Sequence, residues 1–540
     1  MNGDTRWYQQ AVFYEMNIRA FQDSNGDGNG DFRGAIERLD YLLALGVDCT
    51  WIQPMYPSPL RDDGYDVADY TDIHPDFGTL DDFKAFLNAA HARGLRVVTD
   101  LVMNHTSDQH PWFQAARSDP NSPYHDYYVW SETGTEYADA RIIFIDYEKS
   151  NWTYDEVAGK YFWHRFYSSQ PDLNYDNPAV HEEMLNIMRY WLDMGIDGFR
   201  ADAVPYLYER EGTICENLPE THAFLKKVRA MMDAEYPGSV LIAEANQWPE
   251  DVRAYFGDGD EFHMCFHFPI MPRLYMAIRQ HDRTAIYDIL ERTPPIPENA
   301  QWLTFLRNHD ELTLEMVTPA ERQWMWEQYA PDPLMRINLG IRRRLAPLID
   351  NDRRQWLLLN AMLFSLPGTP ILYYGDEIGM GDNINLPDRF GVRTPMQWDD
   401  SKNAGFSDAE TTYLPVIDEG PYSYRHVNVA AAEKDPNSYL WATRFLLQAR
   451  KQSPALQQGK MSWYEIENKT ILAFWRVHEE RRVLCLFNLD QQRQSVSLNL
   501  GVFAGKKLVD LLADSEELTL NEFPMVLNLE PYAAHWLRIE

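Results

Sequence analysis

Eight short apolar segments recur along the chain, and helical patterns separate most of them. The apolar segments are residues 11–16, 47–55, 95–105, 198–204, 240–248, 261–268, 302–311 and 369–377. The helical patterns include "LDDFKAFLNAAHARG" and "VHEEMLNIMRYWLDMG", and both end in Gly, where a helix commonly stops. Eight strands that alternate with helices predict an α/β fold of the (β/α)8 or TIM barrel type.

Long segments without this alternation interrupt the barrel pattern and follow it. The segment after strand three is rich in Ser, Asp, Tyr and Trp and shows no clean helical pattern, so we expect an inserted loop domain there. Two further insertions, 312–355 and 378–436, follow strands seven and eight. Short strands with turns near the end of the chain predict a C-terminal antiparallel β-sandwich domain. The predicted domains are the barrel (1–105 and 175–456), the loop domain (106–174) and the β-sandwich (457–540).

The composition restricts the partners of the protein. A formal net charge of -33 repels nucleic acid and anionic lipid, so we expect neither nucleic acid nor a membrane as a partner. No apolar run approaches the roughly 20 residues of a membrane span, and the first residues lack a secretory signal pattern. Four scattered cysteines without a CxxC pair predict no disulfide framework and no cysteine zinc site. The expected location is therefore cytoplasmic.

Polar and ionisable side chains collect at the ends of the predicted strands. A single carboxylate there is commonly a helix cap or a loop ion pair. Several at the same ends of different strands are not explained in this way, because these ends meet at one mouth of a barrel. We therefore predict an active site at this mouth. The residues are Asp100, Asn104, His105, Arg200, Asp202, Glu244, His309 and Asp310.

Converging carboxylates beside Arg and His suit glycosyl transfer. That chemistry needs one ionised carboxylate as nucleophile and a second, protonated one as acid. Arg200, two residues before Asp202, favours the charged form of that Asp by pairing with it. Glu244 lies near Trp248 and other acids, so we expect a raised pKa and a role as proton donor.

Four motifs, "DLVMNH", "GFRADAV", "IAEANQ" and "LRNHDE", resemble in order and spacing those of the alpha-amylase superfamily, glycoside hydrolase family 13. The resemblance covers essentially the whole chain. "RDDGYDVADY" and "RTPMQWD" are similar to its oligosaccharide-cleaving and -isomerising branch. "EANQWPEDV", "FHMCFHFPIMPRLYMA" and "VPYLYEREGT…ENLPETH" most resemble the maltose α-glucosyltransferases that interconvert maltose and trehalose. The resemblance implies reversible isomerisation of maltose to trehalose by a retaining double displacement.

The resemblance also implies a role for each matching residue. Asp202 would be the nucleophile that forms a β-glucosyl-enzyme, Glu244 the general acid/base, and Asp310 the residue that stabilises the transition state. Glucose must stay enclosed between the two steps, so the insertions after strands three, seven and eight are candidates for a lid. The implied substrate contacts are Asp62, Tyr65, His105, Gln170, Arg200, His309 and Arg393.

Metal binding is expected at two places. The stretch "DSNGDGNGD" has the oxygen-ligand spacing of an EF-hand start, but Gly34 stands where a Glu would close the loop, so a calcium sensor is not expected. A structural calcium, which the resemblance implies, competes here with plain Asx-turns; its ligands would be Asp23, Asn25, Asp27, Asn29 and Asp31. The resemblance alone implies a second calcium at Asn104, Asp172 and the main chain around Tyr206, Leu207 and Glu209.

Two other functions stay open at this point. An α-glucosidase would use the same three carboxylates with water as acceptor. An inactive carbohydrate-binding relative is disfavoured because all three carboxylates are present. We expect no organic cofactor and a small neutral disaccharide, maltose or trehalose, as substrate. The sequence leaves open a homo-oligomer and a separate maltokinase as partners.

Overall fold

Eight parallel strands close into a barrel in the computed structural model, which describes residues 6–513 and 517–540. Up to the end of the barrel the strands are β1 (Phe13–Met16), β2 (Cys49–Ile52), β3 (Arg96–Val102), β4 (Trp130–Ser131), β5 (Trp152–Asp155), β6 (Lys160–Trp163), β7 (Gly198–Asp202), β8 (Val240–Ala243), β9 (Met264–Phe266), β10 (Gln301–Phe305), β11 (Leu312–Thr313), β12 (Arg336–Ile337), β13 (Gly340–Ile341) and β14 (Thr369–Tyr373). The barrel order is β1-β14-β10-β9-β8-β7-β3-β2, so consecutive barrel strands are neighbours. The predicted (β/α)8 barrel is confirmed.

Helices surround the barrel, and the sequence marks where several of them begin and end. A capping box between Thr79 and Asp82 starts one helix, while Asn177 caps the start of another that ends at Gly195 with a φ of +102°. No helix in the described part of the chain is long and apolar enough to cross a membrane. The helices are α1 (Ile18–Phe21), α2 (Phe32–Glu37), α3 (Leu39–Leu45), α4 (Leu80–Ala92), α5 (Pro111–Ser118), α6 (Pro178–Met194), α7 (Pro219–Glu235), α8 (Pro249–Val252), α9 (Ile270–Gln280), α10 (Thr284–Arg292), α11 (Pro319–Tyr329), α12 (Leu345–Leu348), α13 (Arg353–Ser365), α14 (Val429–Lys434), α15 (Tyr439–Lys451) and α16 (Pro454–Gln458).

The barrel strands are short and buried, and they stop before several of the polar side chains that follow them. Every residue of β7 is buried, and Gly198 begins it with a φ of +150°, where a Cβ would lie 2.0 Å from the carbonyl oxygen of Val240. Asp202 is the last residue of β7 and Glu244 comes directly after β8. Asp310 lies in the loop beyond β10, so the predicted strand over 302–311 is too long. Glu244 and Asp310 therefore lie outside the paired strands, and both face the barrel mouth.

Additional sheets lie in the insertions and at the C-terminal end. The chain segment between β3 and β7 contains a small separate sheet of β4, β5 and β6. The segment after β10 contains another, of β11, β12 and β13. The first insertion also contains α5, a helix that the sequence pattern did not indicate; it starts at a Pro behind the capping side chain of His110 and buries Phe113 and Ala116.

The C-terminal strands form two antiparallel sheets with a shared apolar core, as the predicted β-sandwich requires. One sheet has the order β15-β16-β17-β22-β19-β20 and the other pairs β18 with β21. Their bounds are β15 (Lys460–Trp463), β16 (Ile471–His478), β17 (Arg481–Asn488), β18 (Gln494–Leu498), β19 (Lys507–Asp510), β20 (Leu518–Thr519), β21 (Met525–Leu529) and β22 (Ala534–Ile539).

Candidate active site

A cavity opens at the carboxyl ends of the barrel strands and has about 800 Å³ of free space, its open mouth included. Most of the predicted catalytic and substrate residues line it, whereas Arg200, Gln170 and Arg393 contact the lining residues from behind. The lining consists of Asp62, Tyr65, His105, Ile143, Phe144, Phe166, Asp202, Ala203, Tyr206, Glu244, Asn246, Phe268, Asn308, His309, Asp310, Glu311, Thr313, Glu315 and Arg389.

The guanidinium of Arg200 joins three carboxylates from adjacent barrel strands. Its Nη1 lies 2.6 Å from Asp100 Oδ1 and 2.5 Å from Asp202 Oδ1, and its Nη2 lies 2.8 Å from Glu244 Oε1. Arg200 is 1% exposed, so water does not screen these ion pairs. Asp100 also accepts hydrogen bonds from Trp51 Nε1 and the Tyr65 hydroxyl, at 2.8 and 3.1 Å. The two predicted catalytic carboxyls therefore bind one rigid cation, which holds them close together.

The environment separates the pKa values of these two carboxyls. Burial raises the pKa of Asp202 to about 6, although the charge of Arg200 opposes the shift. Burial raises the pKa of Glu244 further, to about 8, against the pull of the same Arg200. At neutral pH Asp202 is therefore mostly ionised and Glu244 mostly protonated, which are the states that a nucleophile and a proton donor need.

We predict a bell-shaped dependence of activity on pH, with an acid limb at a pKa of about 6 and an alkaline limb at a pKa of about 8. Activity falls on the acid side because Asp202 becomes protonated and loses its nucleophilic oxygen. It falls on the alkaline side because Glu244 loses the proton that it must donate. Measuring kcat/KM for maltose across this range checks the curve. A flat profile from pH 5 to pH 9, about one unit beyond each limb, would contradict the assignment.

Asp310 is held ionised by several cations. Arg389 Nη1 lies 2.7 Å and Arg393 Nη2 lies 3.0 Å from Asp310 Oδ1. Burial alone raises the pKa of Asp310, but the charges of His309, Arg389, Arg393 and Arg200 outweigh it and hold the pKa well below the usual range. An ionised carboxylate here is a hydrogen-bond acceptor for hydroxyl groups in the cavity.

Asp62 lies beside Asp310 and shares one of its partners. Arg389 Nη2 lies 2.7 Å from Asp62 Oδ1, and Gln170 Nε2 donates to Asp62 Oδ2 at 3.0 Å. Arg389 was not among the predicted site residues, yet it joins Asp62 to Asp310 and lines the cavity. Its only sequence signal is its position four residues before Arg393 in "RFGVR".

Two histidines and a tyrosine complete the predicted substrate wall. His105 Nε2 lies 3.2 Å from the main-chain oxygen of Tyr65, and burial lowers the pKa of His105 to about 3, so its ring is neutral. The Tyr65 ring lies parallel to the His309 ring with centroids 5.2 Å apart. These rings present a fixed apolar and polar surface for a sugar ring.

The insertions meet over the cavity through side-chain contacts that motifs do not reveal. Arg141, in the first insertion, lies 2.8 Å from both Glu216 Oε1 and Glu315 Oε2. The Tyr167 hydroxyl donates to Asp388 Oδ2 at 2.7 Å. The segments after β3, β7, β10 and β14 are thus joined by hydrogen bonds and ion pairs around the mouth.

The loop with the EF-hand-like spacing satisfies its own side chains. Asp23 Oδ1 accepts from the main-chain nitrogens of Asn25 and Gly26, and its Oδ2 accepts from Gly28 and from the Ser407 hydroxyl. The side chains of Asn25, Asp27, Asn29 and Asp31 likewise accept hydrogen bonds within the chain. Within the described residues, no group of three or more His, Cys, Asp or Glu side chains is placed to hold a metal. This is the Asx-turn alternative, and calcium at this loop stays a prediction.

The second expected metal site, around Asn104 and Asp172, differs from the first because some of its oxygens have no hydrogen-bond partner. Asn104 Oδ1, Asp172 Oδ2 and Glu209 Oε1 are all buried and have no hydrogen-bond partner. Burial raises the pKa of Asp172 to about 8, and burial together with the Asp172 charge raises the pKa of Glu209. Tyr206 and Leu207 lie on the turn that leads to Glu209. Unpartnered oxygens of carboxylates and an amide are the ligands that calcium prefers.

Family models match the chain over nearly its whole length. Residues 17–329 and 342–459 match the alpha amylase catalytic domain. The chain belongs to the alpha-amylase family. Residues 461–536 match the maltogenic amylase C-terminal domain.

Individual relatives place the chain within this family. It is 56% identical to the trehalose synthase/amylase of Mycolicibacterium smegmatis, over 99% of this chain and 93% of the relative. It is 54% identical to the trehalose synthase of Pimelobacter sp. strain R48, over 99% and 96%. The structure of the trehalulose synthase from Pseudomonas mesoacidophila MX-45 superposes with a TM-score of 0.80 at 27% identity, over 99% of both chains. The resemblance that the motifs indicate is confirmed by these relatives.

Proposed function

We propose that the protein isomerises maltose to trehalose, reversibly, through a covalent β-glucosyl-enzyme on Asp202. The proposal depends on one arrangement in the cavity: Asp202 and Glu244 share Arg200 and have pKa values of about 6 and about 8. Relatives named trehalose synthase, at more than half identity, support the choice of substrate. Incubation with maltose alone tests it, with trehalose as the expected product.

The first step breaks the glycosidic bond of maltose. A carboxylate oxygen of Asp202 attacks C1 of the non-reducing glucose, while Glu244 donates its proton to the departing glycosidic oxygen. The bond from C1 to that oxygen breaks, free glucose forms, and the transferred glucose is held as a β-ester. Asp310 and Asp62 accept hydrogen bonds from the hydroxyls of that ring. Arg389 pairs with both carboxylates and holds them in place. The carboxyls of retaining enzymes are about 5–5.5 Å apart, a spacing that a shared guanidinium favours.

The second step forms trehalose from the same two sugars. The freed glucose turns within the cavity and presents its C1 hydroxyl to the ester. Glu244 takes the hydroxyl proton, the oxygen attacks C1 of the bound glucose, and the bond to Asp202 breaks. Two inversions give net retention at C1. Water in place of glucose would give hydrolysis, so retention of glucose decides between the two outcomes.

We predict that Arg141→Ala raises the proportion of glucose in the products by about tenfold. Arg141 joins the first insertion to Glu216 and Glu315 at the cavity mouth, and hydrogen bonds to charged groups contribute about 1.5–3 kcal/mol. Without them the mouth admits water before the second step. Arg117→Ala is the matched control, because Arg117 pairs with Asp155 in the same insertion. An unchanged ratio of glucose to trehalose in Arg141→Ala would remove this residue from the lid.

We also propose a structural calcium at Asn104, Asp172 and Glu209. The ion would neutralise two buried carboxylates and tie the first insertion to the segment after β7, beside His105. It has no role in the transfer of glucose.

Calcium at about 100 times its dissociation constant is expected to add about 2.7 kcal/mol to the free energy of unfolding and to raise Tm by several degrees. Asp172→Asn should abolish this response, because it removes one charged ligand. Asp27→Asn, in the first loop, serves as the comparison. Thermal unfolding with calcium and with EDTA checks the proposal. Loss of the response in Asp27→Asn alone would move the ion to the first loop.

We propose the cytoplasm as the compartment, since all four cysteines are unpaired and buried. Self-association and a separate maltokinase stay predictions.

A further inference from the structure

A carboxylate that the motifs do not include lies directly behind the active site. Glu15 is the third residue of β1 and pairs with Trp51 on β2 and Tyr373 on β14. Its exposure is 0% and it does not line the cavity. In the sequence it stands within the apolar run "VFYEM", where a charged residue needs a specific partner.

The partner of Glu15 is His309. Glu15 Oε1 accepts from His309 Nδ1 at 2.5 Å and from the main-chain nitrogen of His309 at 3.3 Å. Gln53 Nε2 donates to the same oxygen at 2.9 Å, and Glu15 Oε2 has no partner. Within the described residues, no Arg or Lys forms an ion pair with Glu15. Among the described residues, the one ion-pair partner of Glu15 is the imidazole of His309.

The His309 ring is fixed on every side. Its Nε2 lies 3.4 Å from Asp310 Oδ2, so carboxylates face both ring nitrogens. Tyr65 stacks on its face, and Trp51 meets it edge-on with centroids 5.8 Å apart. The hydrogen bond of the ring is the one from Nδ1 to Glu15, and this bond sets which way Nε2 points.

We infer that Glu15 is a positioning residue, which acts on glucosyl transfer through His309. It accepts the hydrogen bond from Nδ1 and fixes the ring orientation, so that Nε2 faces Asp310 and the sugar hydroxyls. Glu15 itself never touches the sugar. The inference deepens the proposed function, because it concerns the binding of the glucose that is transferred. It requires glucosyl transfer but not isomerisation.

Removal of the charge on Glu15 should weaken this arrangement without opening the cavity. In Glu15→Gln the side chain keeps its volume, but the neutral amide oxygen is a weaker acceptor for the Nδ1 hydrogen bond than a carboxylate oxygen. The ring orientation is then held less firmly, and so is the position of Nε2 towards the sugar. Transition-state contacts to the sugar are lost, so we expect the effect mainly in kcat.

The experiment compares Glu15→Gln, His309→Asn and the double variant with the wild-type protein. The rates are measured with p-nitrophenyl α-glucoside, which reports glucosyl transfer alone, and with maltose, which reports the proposed isomerisation. Glu377→Gln is the matched control, because Glu377 is also fully buried and accepts hydrogen bonds from Tyr14 on β1 and from Tyr41, away from the cavity. Circular dichroism and Tm verify folding.

We expect Glu15→Gln to lower kcat on both substrates at least about tenfold, with a smaller change in KM, and Glu377→Gln to leave both unchanged. The double variant should be no slower than His309→Asn, because Glu15 acts only through that ring. Multiplied losses in the double variant, or unchanged kcat in Glu15→Gln, would overturn the inference. If wild-type protein cleaves the aryl glucoside but makes no trehalose, the isomerisation fails while this test still stands.

Histidine-labelled wild-type protein gives a check that does not depend on a variant folding. The Nδ1 ring ¹⁵N signal of His309, identified by its absence in His309→Asn, should be that of a protonated nitrogen, because Glu15 Oε1 lies beside it. An unprotonated Nδ1 would overturn the inference.

Discussion

Asp202→Ala is expected to lower kcat on maltose and on trehalose by roughly 10⁴-fold or more, because no covalent intermediate can then form. The side chain is the last residue of β7 and is held by Arg200 at 2.5 Å, so its removal leaves no other carboxylate in the same position. Asp376→Asn is the matched control. Asp376 follows β14, is buried, and forms an ion pair with Arg344 outside the cavity.

Azide identifies the role of Asp202 beyond the simple loss of activity. In Asp202→Ala the space of the lost carboxylate admits azide, which attacks C1 of p-nitrophenyl α-glucoside from the same side. The bond to p-nitrophenolate breaks and β-glucosyl azide forms with a single inversion. Formation of α-glucosyl azide, or residual activity close to that of wild type, would contradict the assignment of Asp202 as nucleophile.

Glu244→Gln is expected to separate substrates by their leaving groups. Maltose and trehalose release a sugar alkoxide that needs a proton, so their turnover should fall about 10²–10⁴-fold. p-Nitrophenolate leaves without a proton, and the first step with the aryl glucoside should fall much less. The alkaline limb near about 8 should also disappear, because Glu244 is the group that causes it.

A burst of p-nitrophenol followed by a slow phase would show that the glucosyl-enzyme forms but is not resolved, as the loss of a general base requires. Azide should then rescue the slow phase and give α-glucosyl azide, the opposite anomer from that made by Asp202→Ala. An equal fall for maltose and the aryl glucoside would exclude Glu244 as the acid.

The barrel and the meeting of the predicted catalytic carboxyls at its mouth can be predicted because each depends on local pattern. Strands that are buried on both faces are largely apolar, as β8 is, and polar residues mark where they end. Parallel strands bring these ends to one mouth, so Asp202 and Glu244 are neighbours by topology. The raised pKa of Glu244 agrees with the expectation from sequence, whereas that of Asp202 does not, because burial outweighs the pairing with Arg200 that the sequence suggests.

The contacts between insertions are not predictable from pattern. Arg389 meets Asp62 and Asp310 only after distant loops have folded together over the mouth. The same holds for Arg141 and Glu315, which belong to different insertions. Charged residues in loops are common, and nothing in the sequence distinguishes these from solvated ones.

The two expected calcium sites show that sequence spacing is a poor guide to metal ligands. The regular spacing from Asp23 to Asp31 suggests a calcium loop, yet main-chain nitrogens of the same segment donate hydrogen bonds to these side chains. Asn104, Asp172 and Glu209 are far apart in sequence, but each has a buried side-chain oxygen without a hydrogen-bond partner.

Incubation of the purified protein with maltose alone, followed by proton NMR, shows whether glucose or water resolves the glucosyl-enzyme. We expect trehalose to accumulate well above free glucose, maltose to form again from trehalose, and Asp202→Ala to catalyse neither conversion. Glucose without trehalose would contradict this expectation and show that water, rather than the retained glucose, resolves the glucosyl-enzyme.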